Sequence, residues 1–201
     1  MTTTENSGAR RRGRPGYDLE TLLKAAAELF YERGYDGTSI QDLATRLGIA
    51  KSAIYHHVPS KEALLRLAVD RALDGLFAEV AELGGGRAID RLDRLVRGSI
   101  TVLVEQLPFV TLLLRVRGNS ETEREALARR REFDQIVTAL VAEAAAEGDL
   151  RADIDPAMTT RLLFGMVNSL IEWYRPQGGL SAAELADTVA AVAFDGLRVR
   201  S

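Results

Sequence analysis

Residues 38–61 read TSIQDLATRLGIAKSAIYHHVPSK, and the fold follows from this stretch outward. Apolar residues recur at helical spacing at Ile40, Leu43, Ala44 and Leu47, and again at Ile54 and Val58. Between the two runs stands Gly48, the residue type that takes a left-handed turn at no steric cost. The opening Thr38-Ser39-Ile40-Gln41 predicts a capping box, in which the Thr38 hydroxyl accepts the Gln41 amide proton and Gln41 reaches back. Pro59-Ser60 stops the second run, and Ser60 caps the helix that follows. Two short helices joined by Leu47-Gly48-Ile49-Ala50 have the spacing of a helix-turn-helix. In that arrangement the first helix crosses the DNA backbone and the second enters the major groove. The second helix, about 51–57, has a surface that suits this. Ile54 and Val58 anchor it, while Lys51, Ser52, Ala53, Tyr55 and His56 turn outward. Lysine suits a phosphate or a guanine edge, serine donates and accepts, and the alanine methyl can meet a thymine methyl. The tyrosine hydroxyl can go to a phosphate.

The flanks read as helices throughout. Upstream, Leu22, Leu23, Ala26, Leu29 and Phe30 share one face, and Gly34 stops the run. Downstream, a fourth helix runs from about Lys61 to Leu83 and ends at Gly84-Gly85-Gly86. A fifth covers about 87–106 and is broken by Pro108. A short apolar helix spans Phe109 to Val116, and a seventh spans about 120–147, ending at Gly148. Asp155-Pro156 opens an eighth, the carboxylate capping and the proline fitting the first turn. Ser181 to Glu184 is a second capping box that starts a ninth, about 182–198. No alternating strand pattern appears. The predicted fold is all-α with about nine helices: a disordered basic arm at 1–16, a helix-turn-helix domain at 17–60, and a second helical domain at 61–201.

Composition narrows the class. The chain has 201 residues, of which 46% are hydrophobic and 27% charged, as in an ordinary soluble globular protein. It has no cysteine, which excludes disulfides and thiolate metal sites and points to a cytoplasmic setting. No signal peptide or membrane-length apolar run is visible. The net charge of −3 argues against nucleic-acid binding until its distribution is read. Residues 1–71 carry 11 Lys/Arg against 9 Asp/Glu, and residues 72–201 carry 15 against 20. A basic end on an acidic protein can still find phosphate.

With these residues in place, 22–65 resemble the DNA-binding domain of the TetR family of transcriptional repressors. The resemblance rests on Ala26-Ala27-Glu28-Leu29-Phe30, Gly34-Tyr35, Thr38-Ser39, Leu43-Ala44, Gly48-Ile49, Lys51, Ile54-Tyr55 and Ser60-Lys61-Glu62-Ala63-Leu64. It implies that Thr38, Lys51, Tyr55 and Lys61 lie at phosphates, and that Ser52, Ala53 and His56 lie near base edges. Three positions depart from the family pattern. Ala50 stands where a serine cap is frequent, at a cost of about 1 kcal/mol of capping. Val58 replaces a common aromatic, and His56 a frequent tyrosine. Residues 168–185 loosely resemble members that respond to acyl-CoA or other lipid-like molecules. Separately, Arg12-Gly13-Arg14-Pro15 resembles the core of an AT-hook, which inserts arginines into the minor groove of A·T-rich DNA.

The resemblance further implies a homodimer on a palindromic operator in double-stranded DNA, released by a small, hydrophobic or acyl-CoA-like effector. Helices eight and nine are apolar on broad faces, so each must be covered twice. Leu162, Gly165, Met166, Ala186, Val189, Ala190 and Ala193 are the expected interface. Phe77, Leu103, Phe109, Leu112, Leu113, Phe133, Val137, Phe164 and Trp173 are the candidate pocket lining, with Arg115 and Arg117 placed to meet an anionic ligand head. Two rival classes remain, a helical enzyme and a ligand-independent DNA-binding protein. A helical enzyme finds no support, because Arg115, Arg117, Asp134, Asn168, Glu172 and Tyr174 form no known catalytic spacing. A ligand-independent DNA-binding protein would bind with little sequence preference. His56 and His57 point about 100° apart on a helix and cannot share one metal ion. No metal, cofactor or membrane partner is expected.

Overall fold

A computed structural model describes residues 18–197 of the chain. The basic arm, with Arg12 and Arg14, lies outside the described residues. The architecture is all-α: α1 Leu19–Arg33, α2 Ile40–Leu47, α3 Lys51–Tyr55, α4 Lys61–Ala81, α5 Ala88–Glu105, α6 Leu107–Arg115, α7 Glu121–Ala146, α8 Pro156–Trp173 and α9 Ala182–Leu197.

Side-chain caps set most of the helix starts, by satisfying amide protons that have no partner within the helix. Asp18 accepts from the Thr21 amide at 2.8 Å, Ser60 from Ala63 at 3.0 Å and Asp155 from Met158 at 2.6 Å. Ser181 and Glu184 bond reciprocally at the head of α9. The capping box of α2 corrects the expectation by one residue. Ser39 accepts from the Asp42 amide at 3.1 Å, and the Asp42 carboxylate accepts from the Ser39 amide at 2.8 Å. The Ser39 hydroxyl also donates to that carboxylate at 2.5 Å, and this bond, with the one from the Ser39 amide, holds the Asp42 carboxyl below the usual range. Thr38 is not available as the cap because it is buried, and its hydroxyl donates to the Gly34 carbonyl at 2.9 Å. Gly48 ends α2 with φ of +64°, the left-handed turn expected of it.

Pro108 falls in the first turn of α6 rather than before it, where its missing N–H is not needed. The break is at Gln106, and α5 and α6 meet there at a 103° bend. Among the described residues no single helix is long and apolar enough to cross a membrane.

The core is continuous. Leu22, Ala26, Leu29, Leu43, Ile54 and Val58 bury the faces of α1–α3. α1 also packs on α4 and α6, so the front of the molecule rests on two helices of the rear bundle. Leu73, Leu92, Leu95, Ile100, Leu103, Phe109, Phe133 and Val137 fill the bundle of α4–α8. Charge pairs lace its outside: Arg129 bridges Asp70 at 3.0 Å and Asp74 at 2.7 Å, and Arg66 pairs with Glu125. α9 lies along α5, where Arg97 pairs with Asp187.

Candidate DNA interface and effector cavity

The reading face of α3 is built from the anchor outward. Ile54 is fully buried and Val58 nearly so, which fixes the roll of this short helix. Lys51, Ser52, Tyr55 and His56 are consequently exposed, and Ala53 is half-buried. The Lys51 ammonium lies 5.9 Å from the centre of the Tyr55 ring, so cation and hydroxyl are presented together. Arg46 forks onto Glu32 at 2.6 and 2.7 Å and clamps α2 to α1. The second helix is thus displayed on a braced frame.

Two residues expected at phosphates are already engaged inside the protein. The Thr38 hydroxyl points inward, as described above. The Lys61 ammonium donates to the Tyr35 and Thr38 carbonyls, each at 3.0 Å, and sits 4.1 Å from the Tyr35 ring centre. It ties the start of α4 to the α1–α2 corner.

The rear bundle holds a small, partly open and mainly apolar cavity of about 50 Å³. Its lining includes Leu76 from α4, Leu103 from α5, Val110 and Leu113 from α6, Phe133 from α7, and Phe164 and Val167 from α8. Of the expected lining, Leu103, Leu113, Phe133 and Phe164 meet there. Phe77 stands behind, edge-on to Phe133 at 6.2 Å between ring centres. Phe109 and Val137 are buried but do not line the cavity. Trp173 is 52% exposed and lies outside the cavity lining. Leu112 and Arg115 face elsewhere, into an open cleft of about 660 Å³ where the end of α1 meets the end of α6. There Arg115 bonds Glu172 of α8 at 2.6 Å and lies over the Tyr31 ring at 5.7 Å. Arg117 lines the same cleft. Neither arginine reaches the apolar cavity.

A different arginine does. Arg130 of α7 lines the cavity with Asp134 and Asn168. Asp134 and Asn168 were visible in the sequence as polar residues among apolar ones, but Arg130 was not singled out. Its signal was an Arg/Asp pair four residues apart, a spacing that usually means a solvated face. Among the described residues no group of three His, Cys, Asp or Glu could hold a metal ion.

The expected interface residues divide. Leu162 is 67% exposed, and Gly165 of the same helix is exposed. Met166 and Val189 are half-buried. Ala186, Ala190 and Ala193 are buried within the protomer, where α9 packs on α5. Their small side chains let the two helices approach closely. Met158 at 53% and Val192 at 64% are further exposed apolar residues on α8 and α9.

Comparison with known proteins places these features in a family. Residues 22–68 match the family described as "Bacterial regulatory proteins, tetR family", and residues 85–197 match "Tetracyclin repressor-like, C-terminal domain". The crystal structure of SCO3833, a TetR-family regulator from Streptomyces coelicolor A3, is 56% identical. It superposes with a TM-score of 0.83 over 90% of this chain and 92% of that one. The HTH-type transcriptional repressor KstR2 of Rhodococcus jostii is 29% identical over 92% of this chain and 93% of its own length. AibR, solved in complex with isovaleryl coenzyme A and operator DNA, is 26% identical, with a TM-score of 0.73 over 87% of this chain and 97% of that one. A helix-turn-helix with an exposed second helix, joined through α4 to a hollow helical bundle and matched along both parts, makes this chain a member of the TetR family of DNA-binding transcriptional regulators.

Proposed function

We propose that the protein is a homodimeric repressor that leaves a palindromic operator when an acyl-CoA-like effector enters the bundle of α4–α8. One observation carries the sensing part: the apolar cavity is walled by α4 and α6, the two bundle helices on which α1 rests. The cavity of about 50 Å³ is far below the roughly 300–1,000 Å³ of a working ligand pocket. An acyl chain therefore fits only an opened arrangement in which α6 or α4 has moved. That movement is transmitted directly to α1. A ligand that binds the opened state better lowers operator affinity by its differential binding energy. The CoA character of the effector is supported by AibR, whose structure holds isovaleryl coenzyme A. Repression is supported by the description of KstR2 as a repressor. Lys51 and Tyr55 would contact phosphates, with Ser52, Ala53 and His56 at base edges. The exposed apolar residues of α8 and α9, Leu162 and Val192 foremost, would meet their copies across a two-fold axis.

Selection of bound DNA from a random pool, followed by titration with acyl-CoA thioesters, tests this. The expected outcome is one palindromic sequence and its release by at least one thioester. Binding without sequence preference, or binding indifferent to every thioester, would return the protein to the ligand-independent class.

A further inference from the structure

The apolar cavity has a polar corner that its packing does not require. Arg130 and Asp134 stand one turn apart on α7, and Asn168 joins them from α8. Ser99 also lines the cavity, but its hydroxyl is spent on the Leu95 carbonyl at 2.7 Å. The other three keep bonding capacity on the cavity side: Arg130 and Asn168 are half-buried and Asp134 is exposed at its rim. Arg130 makes one long hydrogen bond, to the Leu113 carbonyl at 3.3 Å, and no ion pair among the described residues. Its neighbour Arg129 turns the other way and takes two aspartates of α4. The Asp134 carboxylate and the Asn168 amide make no side-chain hydrogen bond among the described residues. Burial lowers the Arg130 guanidinium. It raises the Asp134 carboxyl, against the pull of Arg130 and of Arg161 on α8.

A guanidinium carries five N–H donors and no acceptor, and an ionised carboxylate only accepts. Here the two sit side by side at a cavity wall without closing on each other. A hydroxyl is the group that completes such a wall, because it accepts from the guanidinium and donates to the carboxylate at once. An added carboxylate would meet repulsion from Asp134, and a plain hydrocarbon would leave both groups desolvated and unpaired.

Resting on the acyl-thioester reading above, we infer that the effector's acyl group carries a hydroxyl that Arg130 and Asp134 hold between them, with Asn168 as a third contact. Arg130 and Asp134 are then specificity-determining residues, and the neighbouring leucines and phenylalanines supply the rest of the affinity.

Calorimetric titration of the full-length protein tests this without any operator. The probes are octanoyl-CoA and hydroxyoctanoyl-CoAs bearing the hydroxyl at carbon 3, 5 or 7. At least one hydroxylated probe should bind about tenfold or more tightly than octanoyl-CoA, since a site built to bond a hydroxyl rejects the analogue lacking it. Arg130→Met and Asp134→Leu should each erase that preference, and octanoyl-CoA should bind each variant more tightly than the parent, because the polar group that a hydrocarbon leaves unpaired is gone. Asp134 lies at the more exposed side of the cavity, so its variant reports even if Arg130→Met does not fold. Equal affinity for all four probes, or a preference that survives both variants, overturns the inference and leaves the acyl-thioester reading standing. No binding of any of the four probes overturns the inference, and the operator-release titration with other thioesters decides the acyl-thioester reading separately.

Discussion

At the residue scale, what a side chain already touches decides what it can still do. The family resemblance implies a phosphate contact for both Lys51 and Lys61. Lys51 is exposed beside Tyr55, whereas Lys61 holds two backbone carbonyls. Their substitutions should therefore separate. Lys51→Ala should weaken operator binding and reduce the slope of log K against log salt by about 1. Lys61→Met should leave that slope unchanged and instead lower stability by about 1.5–3 kcal/mol, as expected when charged hydrogen bonds are lost. Paired salt titrations and denaturant melts would show which assignment holds. A second residue-scale test concerns Glu79. Its carboxylate takes the space a side chain at Gly98 would fill. Burial raises its pKa, with Glu82 and Glu105 adding to the rise. A carboxyl raised in the folded state disfavours the fold once it ionises. The penalty is absent below the ordinary value of 4.5 and grows as pH passes through the raised one. Glu79→Gln should raise the melting temperature at pH 7, and the gain should vanish below pH 4.5. A gain that persists at low pH would show that ionisation is not the cause.

At the scale of elements, helix ends were legible and helix faces were less so. Ser60, Asp155 and Ser181 announced their helices because a cap is a local event between residues three apart. The cap of α2 slipped by one because threonine and serine are adjacent, and only packing shows that Thr38 is turned inward. Trp173, an expected lining residue, stands at the exposed end of α8. The inward position at the end of α8 goes instead to Tyr174, four residues after Leu170 and 5% exposed. The alanines of α9 have the spacing of an interface, and periodicity cannot tell an internal partner from an external one. Arg130 escaped for the same reason, since its meaning lies in α6 and α8 rather than in α7. The element that departs most clearly from good local design is α3. Ala50 has the extended backbone of an N-cap, with φ −72° and ψ 144°, and no side-chain bond. Ala50→Ser should add about 1 kcal/mol of stability, measured by denaturant melting of the DNA-free protein. The α5–α6 corner is the opposite case. A Cβ on Gly75 of α4 would meet the Gln106 amide and Val102 at 3.0 Å each. Gly75→Ala gains helix propensity but must push that corner away. A net loss of about 1–3 kcal/mol is expected, and a gain would show that the corner yields freely.

At the scale of the whole molecule, the question is which surfaces the protomer leaves unfinished. α9 is bound to α5 through its alanines and through Arg97 and Asp187. α8 is bound to the bundle through Leu163, Phe164, Val167 and Leu170. Each nonetheless shows water a large apolar side chain on its other face, Leu162 at 67% and Val192 at 64% exposure. A single exposed leucine needs no explanation. Met158 one turn before Leu162, with Gly165 and Ser169 continuing the same exposed edge, makes a stripe that does. If that stripe is the two-fold interface, its substitution should break assembly and spare the protomer. Leu162→Arg should give a folded monomer at micromolar concentration by sedimentation. Its melting should stay within about 0.5 kcal/mol of an unassembled protomer, because an exposed site carries little of the core. Operator affinity should fall steeply, since two recognition helices on one rigid dimer occupy both half-sites together and a lone one does not. Ala190→Arg serves as the contrast. At 2% exposure it should disrupt the α5–α9 packing and lower stability directly, with loss of dimer only as a consequence. A Leu162→Arg protein that still sediments as a dimer would move the interface off α8. The exposed stripe would then need a different partner, and the spacing of the two DNA-reading heads would have to be set by another face of the bundle.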